Sequence, residues 1–253
     1  MKHKLAENLK RVRKRMAEAC DRAQRGPGGV TLVAVTKYVT PQIIHELIGL
    51  GLTDLGESRV QGLTQRAVDV LEWVHHEAQG GVRPLVLPKW HLVGHLQRNK
   101  VKTVLPFVDL IHSVDTLRLA EEIDQQSRKL GRRTPVLLEV NTADDPVKQG
   151  CAVAAATHLV EQVATLPGVE LRGLMAMAPL TDDTTTIRCV FERTRELFDE
   201  IVGLRIGGPA FTELSMGMSN DFEFAIECGA TYVRIGAALF DGIELPTEAV
   251  PVD

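Results

Sequence analysis

The sequence predicts an α/β fold, a single (β/α)8 TIM barrel with an extra amino-terminal helix. Short apolar, β-branched segments alternate with longer segments of helical periodicity along the 253 residues, and we count eight such pairs. Eight strand–helix units in about 250 residues are typical of one barrel domain. We therefore expect one domain over residues 1–253, with 1–29 as its lead-in and 245–253 as a loose tail. An open doubly wound sheet is less favoured, because eight units at this spacing close more naturally.

The lead-in contains a predicted helix over residues 5–24. Leu5, Leu9 and Val12 recur at three- and four-residue steps and begin an apolar stripe. The opposite face is basic over residues 10–15, but acidic residues interrupt it further along. We expect the solvated outer face of a docked helix rather than a surface for RNA or a membrane.

The strands and helices follow in order from there. The first strand, residues 30–37, is a buried β-branched segment of a parallel sheet, and the others are expected at 53–56, 89–94, 108–113, 136–141, 170–175, 211–215 and 231–235. Thr40 and Pro41 are typical of a helix start. The helices are expected at 41–50, 58–73, 97–105, 116–130, 152–166, 183–203, 221–228 and 236–240. Residues 75–89, rich in Gly, Pro and polar side chains, predict an exposed loop.

Composition excludes several classes of function. The net charge of −4 does not favour nucleic acid or an acidic membrane as partner. The four cysteines lie far apart, which indicates reduced thiols in a cytoplasmic protein rather than a zinc or disulfide framework. The charged amino terminus lacks the apolar segment of a secretion signal, and no apolar run approaches the length of a membrane span.

Lys37 is the first candidate functional residue, because it closes the first strand. Barrels hold their ligands at the carboxyl ends of their strands. Side chains alternate along a strand, so Lys37 shares a face with Val35, and Tyr38 points away. Partly desolvated, this amine would become a nucleophile toward an aldehyde. A strand-end lysine that merely reaches solvent is the alternative, and the strand by itself favours it.

Two loops predict a phosphate site beside Lys37. The loop after the seventh strand, residues 215–220, offers two hydroxyls and a glycine before a helix, and Gly236-Ala237 opens a helix after the eighth strand. Free backbone N–H groups at such positions bind anions. Because the two loops are neighbours in a barrel, they indicate a phosphate monoester as ligand.

Arg234 is expected inside the barrel with Tyr232, because Val233 and Ile235 suit the helix-facing side. A buried guanidinium needs an acceptor. That acceptor is either Glu139, in a structural ion pair, or an atom of a ligand, such as a pyridine nitrogen. The amine, the phosphate loops and the interior arginine together fit pyridoxal 5'-phosphate (PLP), the vitamin B6 cofactor.

The chain resembles the pyridoxal phosphate homeostasis proteins, which share the barrel of the alanine racemase amino-terminal domain. The resemblance covers nearly the whole chain, in the segments 33–37 (VAVTK), 56–61 (GESRVQ), 90–100 (WHLVGHLQRNK), 112–115 (HSVD), 139–141 (EVN), 148–150 (KQG), 173–177 (GLMAM), 214–221 (LSMGMSND) and 233–236 (VRIG). So many ordered matches are highly specific.

This resemblance implies that Lys37 holds PLP as an internal aldimine and that Arg234 faces the pyridine nitrogen. It implies that the phosphate lies against Ser215, Met216, Gly217, Met218, Ser219 and the amides of Gly236 and Ala237. Two residues depart from the family pattern, since Ser58 replaces an asparagine and Ala237 a threonine. The first loosens a contact near the cofactor, and the second removes a hydroxyl donor to the phosphate.

The histidines suggest a weaker set of candidates. His91 and His95 are four residues apart, but no carboxylate set accompanies them, so we expect no metal site. His91 is expected to line the pocket mouth at the end of the third strand. Further candidates near strand ends are Glu139, Asn141, His112 and Met175. Residues 97–100 favour a solvated helix start over a phosphate or RNA site.

Three functions fit these residues: a PLP carrier without turnover, a small amino-acid racemase, and a Schiff-base aldolase. Barrel aldolases place their lysine on a later strand. Racemases of this fold use a second base, a tyrosine from a further β-domain, whereas this chain offers only Tyr38 and Tyr232. We expect a monomeric cytoplasmic carrier that buffers PLP or delivers it to PLP-dependent apo-enzymes. Which apo-enzymes these are, the sequence leaves open.

Overall fold

The computed structural model describes residues 1–79, 86–145 and 148–245, and its strands form a closed parallel barrel. The barrel strands are β1 (Thr31–Val35), β2 (Asp54–Glu57), β3 (Lys89–Leu92), β4 (Leu110–Val114), β5 (Thr134–Asn141), β6 (Val169–Met175), β7 (Glu213–Ser215) and β8 (Tyr232–Ile235). Each strand pairs in parallel with its neighbour in the chain, and β8 pairs with β1 to close the ring. The predicted TIM barrel is confirmed.

Helices surround the barrel. They are α1 (Lys2–Arg22), α2 (Pro41–Gly49), α3 (Val60–Gln79), α4 (Val101–Val104), α5 (Leu117–Lys129), α6 (Val153–Ala164), α7 (Thr184–Leu204), α8 (Phe222–Glu227) and α9 (Ala237–Phe240). Their apolar faces and the outward side chains of the strands, such as Leu32 and Ala34 of β1, form one buried core. A smaller cluster of Leu110, Leu137 and Met175, with Tyr232 packed against it, fills the barrel interior.

The amino-terminal helix α1 docks on the last two helices, as its apolar stripe predicts. Leu5, Leu9 and Val12 are buried. On the basic face, Arg15 pairs with Glu223 and Arg22 with Glu227, each at 2.6 Å. Arg15 and Arg22 therefore join α1 to α8.

Helix starts follow the sequence signals unevenly. Thr116 Oγ1 accepts a hydrogen bond from the Leu119 amide at the start of α5, and Asp183 Oδ1 accepts one from the Thr185 amide at the start of α7. Thr40 precedes α2 in extended conformation, but its side chain makes no capping hydrogen bond. The sequence correctly predicted Pro41 as the first residue of α2.

Several predicted boundaries were wrong. β1 ends at Val35, so Lys37 lies in a turn beyond the strand. α3 continues to Gln79, into the segment predicted as a loop, while residues 80–85 of that segment lie outside the described residues. The predicted helix 97–105 is a 3-10 turn, Arg98–Lys100, followed by α4. A two-residue strand, Cys151–Ala152, pairs with the end of β5 and was not predicted.

The sequence analysis expected neither a membrane-spanning helix nor a metal site, and the described residues bear on both. Over residues 1–79, 86–145 and 148–245, no helix has the length and apolar character that crossing a bilayer requires. In the same ranges, no three His, Cys, Asp or Glu side chains are grouped closely enough to hold a metal ion. Of the predicted loose tail, residues 246–253 lie outside the described residues.

Candidate functional site

A cavity of about 930 Å³ opens at the carboxyl ends of the barrel strands. The turn after β1, the segment between β6 and α7, the loop between β7 and α8, and the β8–α9 junction form its wall. Lys37, Arg234 and Ser219 contribute the amine, the guanidinium and a hydroxyl. The wall beyond them is largely apolar, with Pro179, Leu180, Ile187, Phe224 and Phe240.

Lys37 lies in the turn that follows β1, and its side chain is exposed. Its Nζ lies 4.8 Å from the centre of the Tyr38 ring, and both residues line the cavity. Two expectations are therefore wrong: Lys37 is not desolvated at a strand end, and Tyr38 does not point away from it. The turn interrupts the strand alternation on which both expectations depended.

Arg66 of α3, which the sequence analysis missed, anchors this turn. Its guanidinium donates to the carbonyl of Val39 at 3.2 Å and to that of Lys37 at 3.5 Å. It also pairs with the buried Glu57 carboxylate at 3.3 Å, which accepts a hydrogen bond from Thr36 Oγ1. Burial raises the pKa of Glu57, and the charge of Arg66 opposes that rise. No local pattern in α3 distinguishes Arg66 from a surface arginine.

Arg234 is the third residue of β8 and is buried in the barrel, as predicted. Its Nη1 donates to Ser215 Oγ at 2.6 Å and its Nη2 to the Ala176 carbonyl at 3.0 Å. Burial lowers the pKa of Arg234 to about 10, against the opposing charges of Glu139 and Asp221. Neither hydrogen-bond acceptor is a carboxylate, so the predicted alternative of an ion pair with Glu139 is not what holds the guanidinium. Three of its five N–H donors take no part in these two hydrogen bonds.

The hydroxyl of Ser219 lies where two backbone amides converge. Ser219 Oγ accepts from the amide of Gly236 at 3.3 Å and from that of Ala238 at 3.2 Å. These amides begin α9, where N–H groups have no partner within the helix. Both amides donate to Ser219 Oγ, so the group that this arrangement offers to an anionic oxygen in the cavity is the hydroxyl proton of Ser219.

The loop between β7 and α8 depends on Gly217. Its φ of +92° is a conformation that L-residues disfavour, and a Cβ placed there would lie 2.6 Å from Ala225 Cβ. The Gly217 carbonyl accepts a hydrogen bond from the Arg234 amide at 3.0 Å. Glycine thus lets the loop pack against α8 while it stays bonded to β8.

The predicted site residues fall into two groups. Those that line the cavity are Lys37, Met218, Ser219, Arg234, Gly236 and Ala237. The others do not line it: Ser215 and Met216 are fully buried, Gly217 packs on α8, and Ser58 packs its backbone against Gly94. Residues 215–219 were predicted together because they are consecutive, but only the last two of them reach the cavity.

The expectation that His91 lines the pocket mouth is wrong. His91 is the third residue of β3 and is buried inside the barrel. Its Nδ1 contacts His112 Nε2 at 2.9 Å, and its Nε2 contacts Asp54 Oδ1 at 3.1 Å. His112 Nδ1 in turn contacts Ser215 Oγ at 2.8 Å. Asp54 was not identified from the sequence, where it is one acidic residue among many.

Burial also shifts other groups around the site. It lowers the pKa of His112 well below its ordinary value, with the charges of His91 and Arg234 adding to the effect. It raises the pKa of Glu139 to about 7, although the positive charge of Arg234 opposes that rise. His112 and Met175, two of the further candidates, are fully buried, and Asn141 bonds to the backbone of Asp145.

Comparison with known proteins agrees with this fold. The model of the family "Alanine racemase, N-terminal domain" matches residues 2–243. A pyridoxal phosphate homeostasis protein of Aquifex aeolicus is 40% identical over 234 residues, which are 92% of this chain and 96% of that protein.

Two solved structures are similar over the whole barrel. An unknown protein from Bifidobacterium adolescentis has 37% identity and a TM-score of 0.86, covering 94% of this chain and 95% of that one. PipY of Synechococcus elongatus with PLP bound has 32% identity and a TM-score of 0.77, covering 93% and 99%. The chain thus belongs to the pyridoxal phosphate homeostasis protein family, whose barrel is that of the alanine racemase amino-terminal domain.

Proposed function

We propose that this protein binds PLP in the cavity, holds it as a Schiff base on Lys37, and buffers or delivers it without turnover of its own. The observation that supports this best is the PLP-bound structure of PipY, together with the placement of Lys37 and Arg234 on the wall of one cavity. The names of the curated relatives support the homeostasis function.

The residues present fit this cofactor. The exposed Lys37 amine is accessible to the aldehyde, and their condensation forms one C=N bond and releases one water. The hydroxyl of Ser219 and the backbone N–H of Ala237, both on the cavity wall, offer donors to the phosphate, and the Gly236 amide beside them holds Ser219 Oγ in place. Arg234 offers a permanent cation to the ring nitrogen. When bound, the cofactor supplies an electron sink.

Arg234 also disfavours turnover. A permanent cation beside the ring nitrogen keeps that nitrogen unprotonated and so weakens the ring as an electron sink. Tyr232, one of the two tyrosines, is held away from the cavity by a hydrogen bond to Glu213 at 3.3 Å. Burial raises its pKa, so Tyr232 stays a neutral phenol and has no tyrosinate form with which to accept a proton.

One observation favours the second candidate, an amino-acid racemase. Tyr38 lies beside Lys37 on the cavity wall, where a second acid–base group of a racemase would be needed. Proton NMR of L-alanine in deuterated water, with the PLP-loaded protein, separates the candidates. We expect α-proton exchange no faster than with free PLP. Exchange at an enzymatic rate that Tyr38→Phe abolishes would replace the carrier with the racemase.

We further propose that the protein works as a monomer in the cytoplasm and passes PLP to PLP-dependent apo-enzymes. The open cavity is compatible with release, since its apolar rim, including Tyr38, Leu180 and Met218, is exposed. Incubation of the loaded protein with an apo-enzyme, followed by that enzyme's activity, measures transfer. Activation no faster than by an equal amount of free PLP would contradict delivery.

A further inference from the structure

Five polar side chains form a continuous hydrogen-bonded chain through the barrel interior. Arg234 Nη1 lies 2.6 Å from Ser215 Oγ, which lies 2.8 Å from His112 Nδ1. His112 Nε2 lies 2.9 Å from His91 Nδ1, and His91 Nε2 lies 3.1 Å from Asp54 Oδ1. Arg234 lines the cavity, whereas Asp54 is the first residue of β2, at the amino end of the barrel. The chain thus links the cavity wall to the opposite end of the barrel.

The residues at the two ends of this hydrogen-bonded chain, Arg234 and Asp54, fix the direction in which each hydrogen bond is donated. A guanidinium only donates hydrogen bonds, and an ionised carboxylate only accepts them. Ser215 Oγ accepts from Arg234, and His112 Nδ1 is the acceptor within reach of its own proton. His112 then has its proton on Nε2 and donates it to His91 Nδ1. His91 likewise has its proton on Nε2 and donates it to Asp54. The hydroxyl proton of Ser215 and the Nε2 protons of His112 and His91 then each have an acceptor.

The reverse direction is unfavourable. If the His112 proton were on Nδ1, Ser215 would accept two hydrogen bonds and its own proton would lose the histidine acceptor. His91 would have to donate from Nδ1, so its Nε2 would either face the Asp54 carboxylate with a lone pair or need a second proton. That second proton would place an imidazolium inside the barrel, where His91 is 2% exposed.

We propose that Asp54, His91 and His112 are positioning residues for Arg234: through Ser215 they hold its guanidinium in one orientation at the cavity wall. This orientation directs the remaining N–H donors toward the ring nitrogen of a bound pyridine. The ligand part of this proposal rests on the proposed function. The direction of the hydrogen-bonded chain does not.

Arg234 needs such an arrangement because other acceptors surround it. The carboxyl groups of Glu139 and Asp221 both act on its charge. Two hydrogen bonds, to Ser215 Oγ and to the Ala176 carbonyl, fix the plane of the guanidinium at two points. Loss of the first would leave Nη1 free to turn toward a carboxylate and away from the ligand.

Long-range 1H–15N NMR of the ligand-free protein tests the direction, because it reports which ring nitrogen of a histidine is protonated. We expect a neutral Nε2–H form for both His91 and His112. Asp54→Ala removes the last acceptor and should release the tautomer of His91, whereas Asp54→Asn keeps an acceptor oxygen and should preserve it. Glu170→Gln, whose carboxylate pairs with Arg172 at the same end of the barrel, is the matched control and should change nothing. An Nδ1–H form of His112 in the wild type would overturn the proposal.

PLP titration and the absorption spectrum of the bound cofactor test the positioning role. We expect Asp54→Ala to weaken PLP binding about fivefold and to shift the absorption band, while Asp54→Asn and Glu170→Gln stay within about twofold of the wild type.

Ser215→Ala, next to Arg234, should have the larger effect and keeps the proposal testable if Asp54→Ala does not fold. Affinity and spectrum unchanged in both Asp54→Ala and Ser215→Ala would contradict the positioning role. A wild type that binds no PLP would instead refute the proposed function. The histidine tautomers would then still test the direction of the hydrogen bonds from Arg234 to Asp54.

Discussion

At the scale of single residues, the part of the cavity where we propose that the phosphate binds has a hydroxyl from Ser219 but none from Ala237. Ala237 is exposed on the cavity wall at the start of α9, at a position where the resemblance to the family implies a threonine. Its backbone N–H is unaffected by this difference. The change therefore concerns one side-chain donor rather than the loop itself.

Ala237→Thr should bind PLP about threefold more tightly, because it adds one hydroxyl donor near the phosphate and a hydrogen bond contributes about 1 kcal/mol or less when exposed. Ala237→Val has the same shape without the hydroxyl and is the matched control. Titration of each protein with PLP measures the dissociation constants. Equal gains in both variants would assign the effect to packing instead.

Glu139 makes the stability of the ligand-free protein depend on pH. Its folded-state pKa is raised from 4.5 to about 7 because the carboxyl is buried. A raised pKa means that the folded state favours the proton, so the stabilising effect is present at low pH and is lost as pH rises through about 7. The loss is on the order of 3 kcal/mol.

Glu139→Gln, which cannot ionise, should lack this loss. Urea unfolding of both proteins at pH 5 and pH 8 provides the comparison, in which all other titrating groups are shared. The wild type should lose roughly 2 to 3 kcal/mol relative to the variant between these pH values. Parallel pH profiles would show that Glu139 ionises normally in the folded protein.

At the scale of elements, the loop between β7 and α8 positions Ser219, and Gly217 permits its path. Gly217→Ala should lower the free energy of unfolding by about 3 kcal/mol, from the left-handed backbone and the overlap with Ala225 together. Gly131→Ala is the matched control, because Gly131 also has a positive φ, of +66°, but nothing lies near its Cβ position. It should cost only about 1 kcal/mol. Similar losses in the two variants, measured by urea unfolding, would mean that the close approach to α8 has no effect.

The order of the elements was predictable from the sequence, but the turn after β1 was not. Thr36, just after the strand, still bonds to β2, through its amide to the Gly56 carbonyl and through its hydroxyl to Glu57, and the turn with Lys37 begins directly after it. These partners are about twenty residues away, and no local signal identifies them. Lys37 was identified as a candidate from the apolar strand that precedes it in the sequence. Its surroundings in the structure, however, depend on contacts of the turn with β2 and α3.

The extension of α3 to Gln79 is a different kind of error. The segment after Trp73 is polar, which favoured a loop, but no Gly or Pro occurs between Gly62 and Gly80. A polar helix end needs no apolar periodicity, so the absence of helix breakers was the better signal.

At the scale of the whole molecule, closure of the barrel decides which residues meet. Lys37 follows β1 and Arg234 belongs to β8, and they share a cavity because those two strands pair. Closure was predictable from eight regular units, and with it the juxtaposition of these two residues. The interior chain from Asp54 to Arg234 was not, because it joins β2, β3, β4, β7 and β8 through side chains alone.

The most direct test of the proposed function is intact mass after incubation with PLP and borohydride reduction. Three proteins should be compared: the wild type, Lys37→Arg, which keeps the charge but forms no Schiff base, and Lys89→Arg, an exposed lysine at the amino end of β3. We expect one reduced pyridoxyl adduct on the wild type and on Lys89→Arg, and none on Lys37→Arg. An unmodified wild type, or an adduct that survives in Lys37→Arg, would contradict the assignment of Lys37 as the residue that holds PLP.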